Sequence, residues 1–211
     1  MENIYGQFPG QPVAFIDEAY RGFERPGEKP FYIATAVVVS HTDLATVRKE
    51  LFEIAGDRFW HTSEALRTDA GRERAVNMLD YLAEGPEPCI VASKVEIARH
   101  DRNLEQARRD CLRALLCALS EGIENVTTPV NVVVIEKRNT PELVHEDKKT
   151  HSGLISDGAL PRHHRLVQAS PADDRLLWLP DVVSSAVRRS LAFNDKRMYD
   201  HIGHRIHFIR A

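Results

Sequence analysis

Apolar runs rich in β-branched residues recur along the chain and predict the strands of a sheet. The strong runs cover residues 12–18, 31–39, 89–97 and 129–136, and a shorter one covers residues 165–169. The first two are joined by a polar loop at residues 20–30 that contains Gly22, Pro26 and Gly27. A parallel crossover needs a longer connection, so these two runs are predicted to pair in antiparallel fashion.

Apolar positions at helical spacing predict four helices between these strands. They span about residues 43–55, 69–84, 103–120 and 180–193, and Gly56, Gly85 and Gly122 are the predicted stops of the first three. Residues 57–64 are expected to hold a short strand and a turn, and residues 140–161 a polar, partly helical excursion. The order of elements predicts one α/β domain over residues 1–211, with a mixed central sheet flanked by helices.

Composition narrows the class of protein. The chain has 211 residues, of which 43% are hydrophobic and 28% charged, and its net charge is −3. Bulk electrostatics therefore recruits neither nucleic acid nor a membrane, and no apolar run approaches the ~18 residues that a membrane helix needs. Cys89, Cys111 and Cys117 form no CxxC pair and lie in apolar stretches, which predicts buried reduced thiols and a cytoplasmic protein.

The candidate chemistry lies in acidic residues at the ends of elements. Asp17 and Glu18 end the first strand, Glu136 ends the 129–136 strand, Asp181 opens the last helix and Glu64 precedes another helix. Ligands of such sheets gather at strand ends and helix N-termini. Carboxylate oxygens suit Mg²⁺ or Mn²⁺, and paired metals of this kind cleave phosphodiesters.

Each acid also has a purely structural interpretation. An acid after a strand is often a turn residue, and an Asp in a first helical turn is often a cap. Glu18 is the weakest candidate, because successive strand residues point to opposite faces and Glu18 should face away from Asp17.

Several segments resemble the bacterial family called domain of unknown function 3800. They are residues 14–19, 31–39, His61-Thr62-Ser63-Glu64, 132–136 and 176–183, in order over most of the chain. The resemblance implies a ribonuclease H-like fold in which Asp17 is the first-strand acid and Asp181 the late-helix acid. It also implies that Glu136 is the later-strand acid, where Asp is more usual, and that Glu64 with His61 stands at the middle helix.

The chain departs from that family at two places. Trp178-Leu179-Pro180-Asp181 stands where Gln-Leu-Ala-Asp is common, and Glu136 is longer than Asp by one methylene. Glu96 is a rival for the later-strand role, although it follows apolar residues within a predicted strand. If these departures spoil the geometry, the domain would bind without cutting.

Histidines and basic residues add further candidates. His61 could act as a general base or contact a substrate, and could equally be structural. Zinc would require His201, His204, His207 or the His163-His164 pair to converge. From residue 161 onward, nine Arg and Lys stand against five Asp, so the C-terminal part, including the tail at residues 194–211, could bind phosphate backbones or be an ordinary solvated surface.

Three functional hypotheses follow. The first is a metal-dependent nuclease or phosphodiesterase in which Asp17, Glu136 and Asp181 hold Mg²⁺ or Mn²⁺ and Glu64 assists. The second is a non-catalytic domain of the same fold that binds nucleic acid or protein with a degenerate metal site. The third is a hydrolase that uses a carboxylate pair without a metal.

Overall fold

The structure is a computed structural model that describes residues 10–23 and 28–211. Six strands form one sheet. They are β1 (Val13–Arg21), β2 (Phe31–Val39), β3 (Cys89–Lys94), β4 (Val132–Glu136), β5 (Arg165–Ala169) and β6 (Ile206–Arg210). β2 is buried along its whole length, as expected for a central strand made almost entirely of apolar and β-branched residues.

The strands lie in the order β5-β4-β1-β2-β3-β6. β1 pairs with β2 in antiparallel fashion, with Asp17 opposite Thr35, and β2 pairs with β3 in the same way. The pairs β1–β4, β4–β5 and β3–β6 are parallel. The predicted opening antiparallel pair and the mixed sheet are therefore confirmed.

Seven helices accompany the described part of the chain. They are α1 (Leu44–Ala55), α2 (Thr62–Ala65), α3 (Asp69–Glu84), α4 (Glu105–Glu121), α5 (Pro141–Ser156), α6 (Trp178–Phe193) and α7 (Tyr199–Ile202). No helix among the described residues is long and apolar enough to span a bilayer. Gly56 ends α1 with a φ of 64°, a left-handed conformation that glycine adopts at little cost.

The helices cover both faces of the sheet, as predicted for this fold class. On one face the odd positions Val13 and Phe15 of β1 pack with apolar residues of α1, α3 and α6. On the other face the even positions Ala14 and Ile16 pack with α4 and with Leu154 of α5. This alternation decides on which side of the sheet Asp17 and Glu18 lie.

Several details differ from the sequence predictions. β1 continues to Arg21, so Asp17 and Glu18 lie within the strand and do not end it, and β3 ends at Lys94. Residues 57–64 contain no strand, and the helix α2 begins at Thr62 instead. The excursion at residues 140–161 is largely the regular helix α5. The basic tail at residues 194–211 supplies α7 and the edge strand β6, so it is part of the fold. Cys89 and Cys111 are buried free thiols as expected, whereas Cys117 is only half-buried.

Candidate active site

Asp17 lies where β1 extends beyond its neighbour β4. The parallel pairing of the two strands ends at Ile16 and Ile135. The next residues, Asp17 and Glu136, are both half-buried. The charge of Glu136 raises the pKa of Asp17, so the two predicted acids lie close enough to interact.

Asp181 joins them from the first turn of α6. Its Oδ2 accepts a hydrogen bond of 2.9 Å from the backbone N–H of Thr62, and the Thr62 side chain also hydrogen-bonds to Asp181. The Thr62 hydroxyl oxygen in turn accepts a bond of 2.9 Å from the indole N–H of Trp60. Since Trp60 and Thr62 are buried, this chain of bonds fixes the Asp181 carboxylate.

A second contact holds α6 against the strand that faces Asp17. The Ser184 hydroxyl donates to the Thr35 hydroxyl at 2.9 Å, and both residues are buried. Thr35 is the register partner of Asp17 on β2, and Ser184 lies about one turn beyond Asp181. The helix that carries Asp181 is therefore anchored beside Asp17.

Burial raises the pKa of all three carboxyl groups, and the charge of a neighbouring acid adds to the shift of Asp17 and of Glu136. Burial raises the pKa of Asp17 well above its usual value, and the charges of Asp181 and Glu136 raise it further. Burial and the charge of Asp181 also raise the pKa of Glu136. For Asp181, burial raises the pKa and the hydrogen bonds from Thr62 oppose that shift. Such mutual repulsion is typical of sites that hold a proton or a cation.

His61 is the basic side chain that faces these acids. Its charge favours the ionised forms of Glu136 and Asp181, and its Nδ1 lies 3.2 Å from the Ser63 hydroxyl. Glu64 is exposed, and none of the interactions recorded for the three acids involves it. The structure thus brings together four of the five predicted residues and places Glu64 at their periphery.

Glu18 lies on the opposite face of the sheet, as the strand alternation predicted. There the Arg108 guanidinium bonds to Glu18, with Nε 3.0 Å from Oε2 and a terminal nitrogen 2.9 Å from Oε1. Arg108 also forms a paired contact with Asp147, and the Tyr32 hydroxyl donates to Glu18 at 2.8 Å. Glu18 therefore belongs to a buried ion cluster that is separate from the Asp17 site.

The donor chemistry of the Asp17 site suits a hard divalent cation. Asp17, Glu136 and Asp181 offer only carboxylate oxygens, which Mg²⁺ and Mn²⁺ prefer, and a cation would relieve their repulsion. Within residues 10–23 and 28–211, however, no three His, Cys, Asp or Glu side chains are already arranged as a metal-binding group. A metal at this site is therefore a proposal that rests on donor chemistry and charge.

The other histidines do not converge. His201 bonds to Asp80 at 2.7 Å, and His151 bonds to the buried His164 at 2.9 Å. Burial lowers the pKa of His164 to about 4, as expected for a neutral, structural imidazole. In the described part of the chain these residues form no zinc group.

Three residues with roles at these sites are absent from the sequence predictions. Thr62 and Trp60 position Asp181, and Arg108 neutralises Glu18. The sequence pattern could have indicated the role of Arg108, since this residue lies four residues after Leu104 and three before Cys111 on the inward side of α4. A basic residue at an apolar helical position indicates a buried partner. No sequence pattern could have indicated the role of Thr62, because its contact with Asp181 joins residues that are 119 positions apart.

The chain resembles a solved structure in its fold, whereas its sequence matches no family model. No family model matches the sequence, and no curated protein matches it. The structure is similar to the ribonuclease H2 of Pyrococcus horikoshii OT3, with 11% identity and a TM-score of 0.49. The likeness covers 89% of this chain and 77% of that one.

Proposed function

We propose that the chain is a ribonuclease H-like, metal-dependent nuclease of the domain of unknown function 3800 family. The observation that carries the proposal is the clustering of Asp17, Glu136 and Asp181 from β1, β4 and α6. Burial raises the pKa of all three, and neighbouring acid charges add to the shift of Asp17 and Glu136. Three separate elements supply these acids, and no basic partner of the Arg108 kind is recorded beside them in the described residues. A cluster of this kind is costly to keep unless it binds something positive.

In this proposal Asp17, Glu136 and Asp181 hold Mg²⁺ or Mn²⁺. The bound cation would supply positive charge against the charge that develops on a phosphodiester during hydrolysis. Thr62 keeps the Asp181 carboxylate in place through its backbone and side-chain hydrogen bonds. We assign proton transfer to Nε2 of His61, since Nδ1 already faces the Ser63 hydroxyl.

Cleavage of labelled RNA, DNA and hybrid oligonucleotides with Mg²⁺ or Mn²⁺ tests the proposal. We expect activity in the wild type, and a loss of about 100-fold or more in Asp17→Asn, because the charge that holds the metal is removed. Glu96→Gln is the matched control: Glu96 follows β3, is exposed and faces Arg210 at 3.5 Å, so it should retain full activity. An Asp17→Asn variant that cuts at the wild-type rate would refute the assignment, and cleavage that persists in EDTA would favour a metal-free carboxylate mechanism.

A second candidate function is a binding domain of the same fold that does not cut. The absence of a preformed metal group among the described residues favours it, as does the longer Glu136 side chain. In that case the chain would bind nucleic acid or a protein partner without requiring a divalent cation. Wild-type protein that binds oligonucleotides equally well in EDTA and in Mn²⁺, and cuts in neither, would support this alternative.

A further inference from the structure

Two cations beyond the acids lack a carboxylate partner among the described residues. Arg188 of α6 is exposed and donates from Nε to the backbone carbonyl of Tyr20 at 3.2 Å. Arg21 of β1 is half-buried, donates to the backbone carbonyls of Lys29 and Ala192 at 2.8–3.0 Å, and lies over the Phe31 ring at 5.4 Å. Carbonyl oxygens do not cancel a full positive charge, so both guanidinium groups remain available to an anion.

The neighbouring basic residues differ in this respect. Arg189 and Arg197 both bind the Asp195 carboxylate, at 2.6–3.1 Å. These contacts hold the pKa of Asp195 well below its usual value. Arg188, unlike Arg189 and Arg197, therefore has no carboxylate partner among the described residues.

An exposed aromatic ring accompanies Arg188. The Phe193 ring lies 5.8 Å from the centre of the Arg188 guanidinium, and 58% of its surface is exposed. A phenyl ring that is this exposed contributes little hydrophobic stabilisation to the fold. Aromatic rings beside arginine are the stacking positions of proteins that bind single-stranded nucleic acid.

Arg188 and Arg21 lie further along α6 and β1 than the acids Asp181 and Asp17 on the same two elements. α6 runs beside β1 in the same direction, because Asp181 meets Asp17, Arg188 meets Tyr20 and Ala192 meets Arg21. Seven helical residues and three strand residues both span about 10 Å. Arg188 therefore points to the same side of α6 as Asp181, about two turns further along.

We propose that Arg188, Arg21 and Phe193, here called the Arg188 strip, bind a single-stranded nucleic acid segment next to the acid cluster. Arg188 and Arg21 contact successive phosphates, and Phe193 stacks on an unpaired base. Bases inside a duplex are stacked on one another and cannot cover the ring, so the strip selects single strands or unpaired overhangs. The inference deepens the proposed nuclease function by naming the substrate class.

The test is a binding measurement that does not depend on cleavage. Fluorescence anisotropy is recorded in EDTA with oligo(dT) of about 15 nucleotides, with a strand of the same length that carries abasic sites, and with a duplex. The variants are Phe193→Ala and Arg188→Gln. The matched controls are Phe208→Ala and Arg210→Gln on the edge strand β6, since Phe208 is 45% exposed and the Arg210 side chain 83% exposed.

We expect wild type to bind oligo(dT) more tightly than the duplex. Phe193→Ala should weaken oligo(dT) binding about 10-fold and leave binding of the abasic strand unchanged, because only the former has bases to stack. Arg188→Gln should weaken both and reduce the salt dependence of binding, because a phosphate contact is lost. The β6 variants should match wild type.

Three results would overturn the strip: equal losses for both strands in Phe193→Ala, equal losses in the β6 controls, or a wild type that prefers duplex or binds no oligo(dT). The binding measurement tests the Arg188 strip independently of the proposed nuclease activity. If Phe193→Ala behaves as expected while the wild type never cleaves, the strip stands and the nuclease activity fails. If cleavage occurs and the strip variants bind like wild type, the nuclease stands and the strip fails.

Discussion

Two neighbouring residues of β1, Asp17 and Glu18, lie just past the point where the pairing with β4 ends, and they show two ways of placing an acid in the sheet. Glu18 faces α4, where Arg108 bonds to it and to Asp147. Asp17 faces α6, where its charged neighbours are the acids Asp181 and Glu136. On the Glu18 face the protein supplies its own cation.

The two clusters therefore differ in role: the Arg108 cluster stabilises the fold, whereas the Asp17 cluster is suited to binding a ligand. The Arg108 cluster joins β1, α4 and α5 through a side chain that is only 4% exposed and that places one cation against two carboxyl groups. The Asp17 cluster has three acids, and among the described residues His61 is the basic side chain that faces them. A cluster that the fold leaves uncompensated destabilises the protein, and such strain is common at functional sites.

The largest expected effect is on the Glu18 face. Arg108→Met should lower the free energy of unfolding by about 3–5 kcal/mol, because it removes the guanidinium that pairs directly with both Glu18 and Asp147. Denaturant titration followed by circular dichroism measures this loss.

Arg109→Met is the matched control. Arg109 lies beside Arg108 on α4, its side chain is 45% exposed and it approaches Glu146 only to 3.8 Å. Its loss should change the free energy of unfolding by no more than about 0.5 kcal/mol. Equal effects of the two substitutions would mean that the Arg108 cluster contributes nothing special to stability.

On the Asp17 face the sign reverses and the effect is smaller. Asp17→Asn should raise the free energy of unfolding at pH 7, without metal, by about 1 kcal/mol or more, since it removes a carboxylate whose pKa is raised in the fold. The gain has a defined pH dependence. In the unfolded chain Asp17 ionises near pH 4, whereas in the fold it keeps its proton to higher pH.

As the pH rises between these two values, unfolding releases a proton and the wild type loses stability relative to the variant. The difference should therefore be near zero below about pH 4 and reach its full size above the raised pKa of Asp17. Thermal melts of both proteins across this range measure it. A variant that is less stable than wild type at pH 7, or a gain that does not vary with pH, would contradict the account of the acid cluster.

Much of the sheet could be predicted from the sequence, because its strands are buried and strongly apolar. The bounds of β2, α3 and β5 agree with the prediction at both ends, since apolar spacing and Gly or Pro residues mark them. β6 was missed because Ile206–Arg210 is a half-exposed edge strand that alternates with His and Arg. Edge strands of this kind carry little apolar signal.

The candidate site was predictable in part for the same reason. Asp17 and Glu136 follow apolar runs on strands that turn out to be neighbours, so the pattern alone indicates both. The support of Asp181 by Thr62 was not predictable, because it depends on a long-range contact between α6 and a four-residue helix. That helix is too short to produce a periodic pattern.

Calorimetric titration of Mn²⁺ tests the central claim most directly, namely that the acids of the Asp17 face take up a divalent cation. We predict saturable binding by the wild type at or below millimolar Mn²⁺, weakened about tenfold or more in Asp17→Asn and unchanged in Glu96→Gln. No binding at millimolar Mn²⁺, or equal affinity in wild type and Asp17→Asn, would contradict the claim.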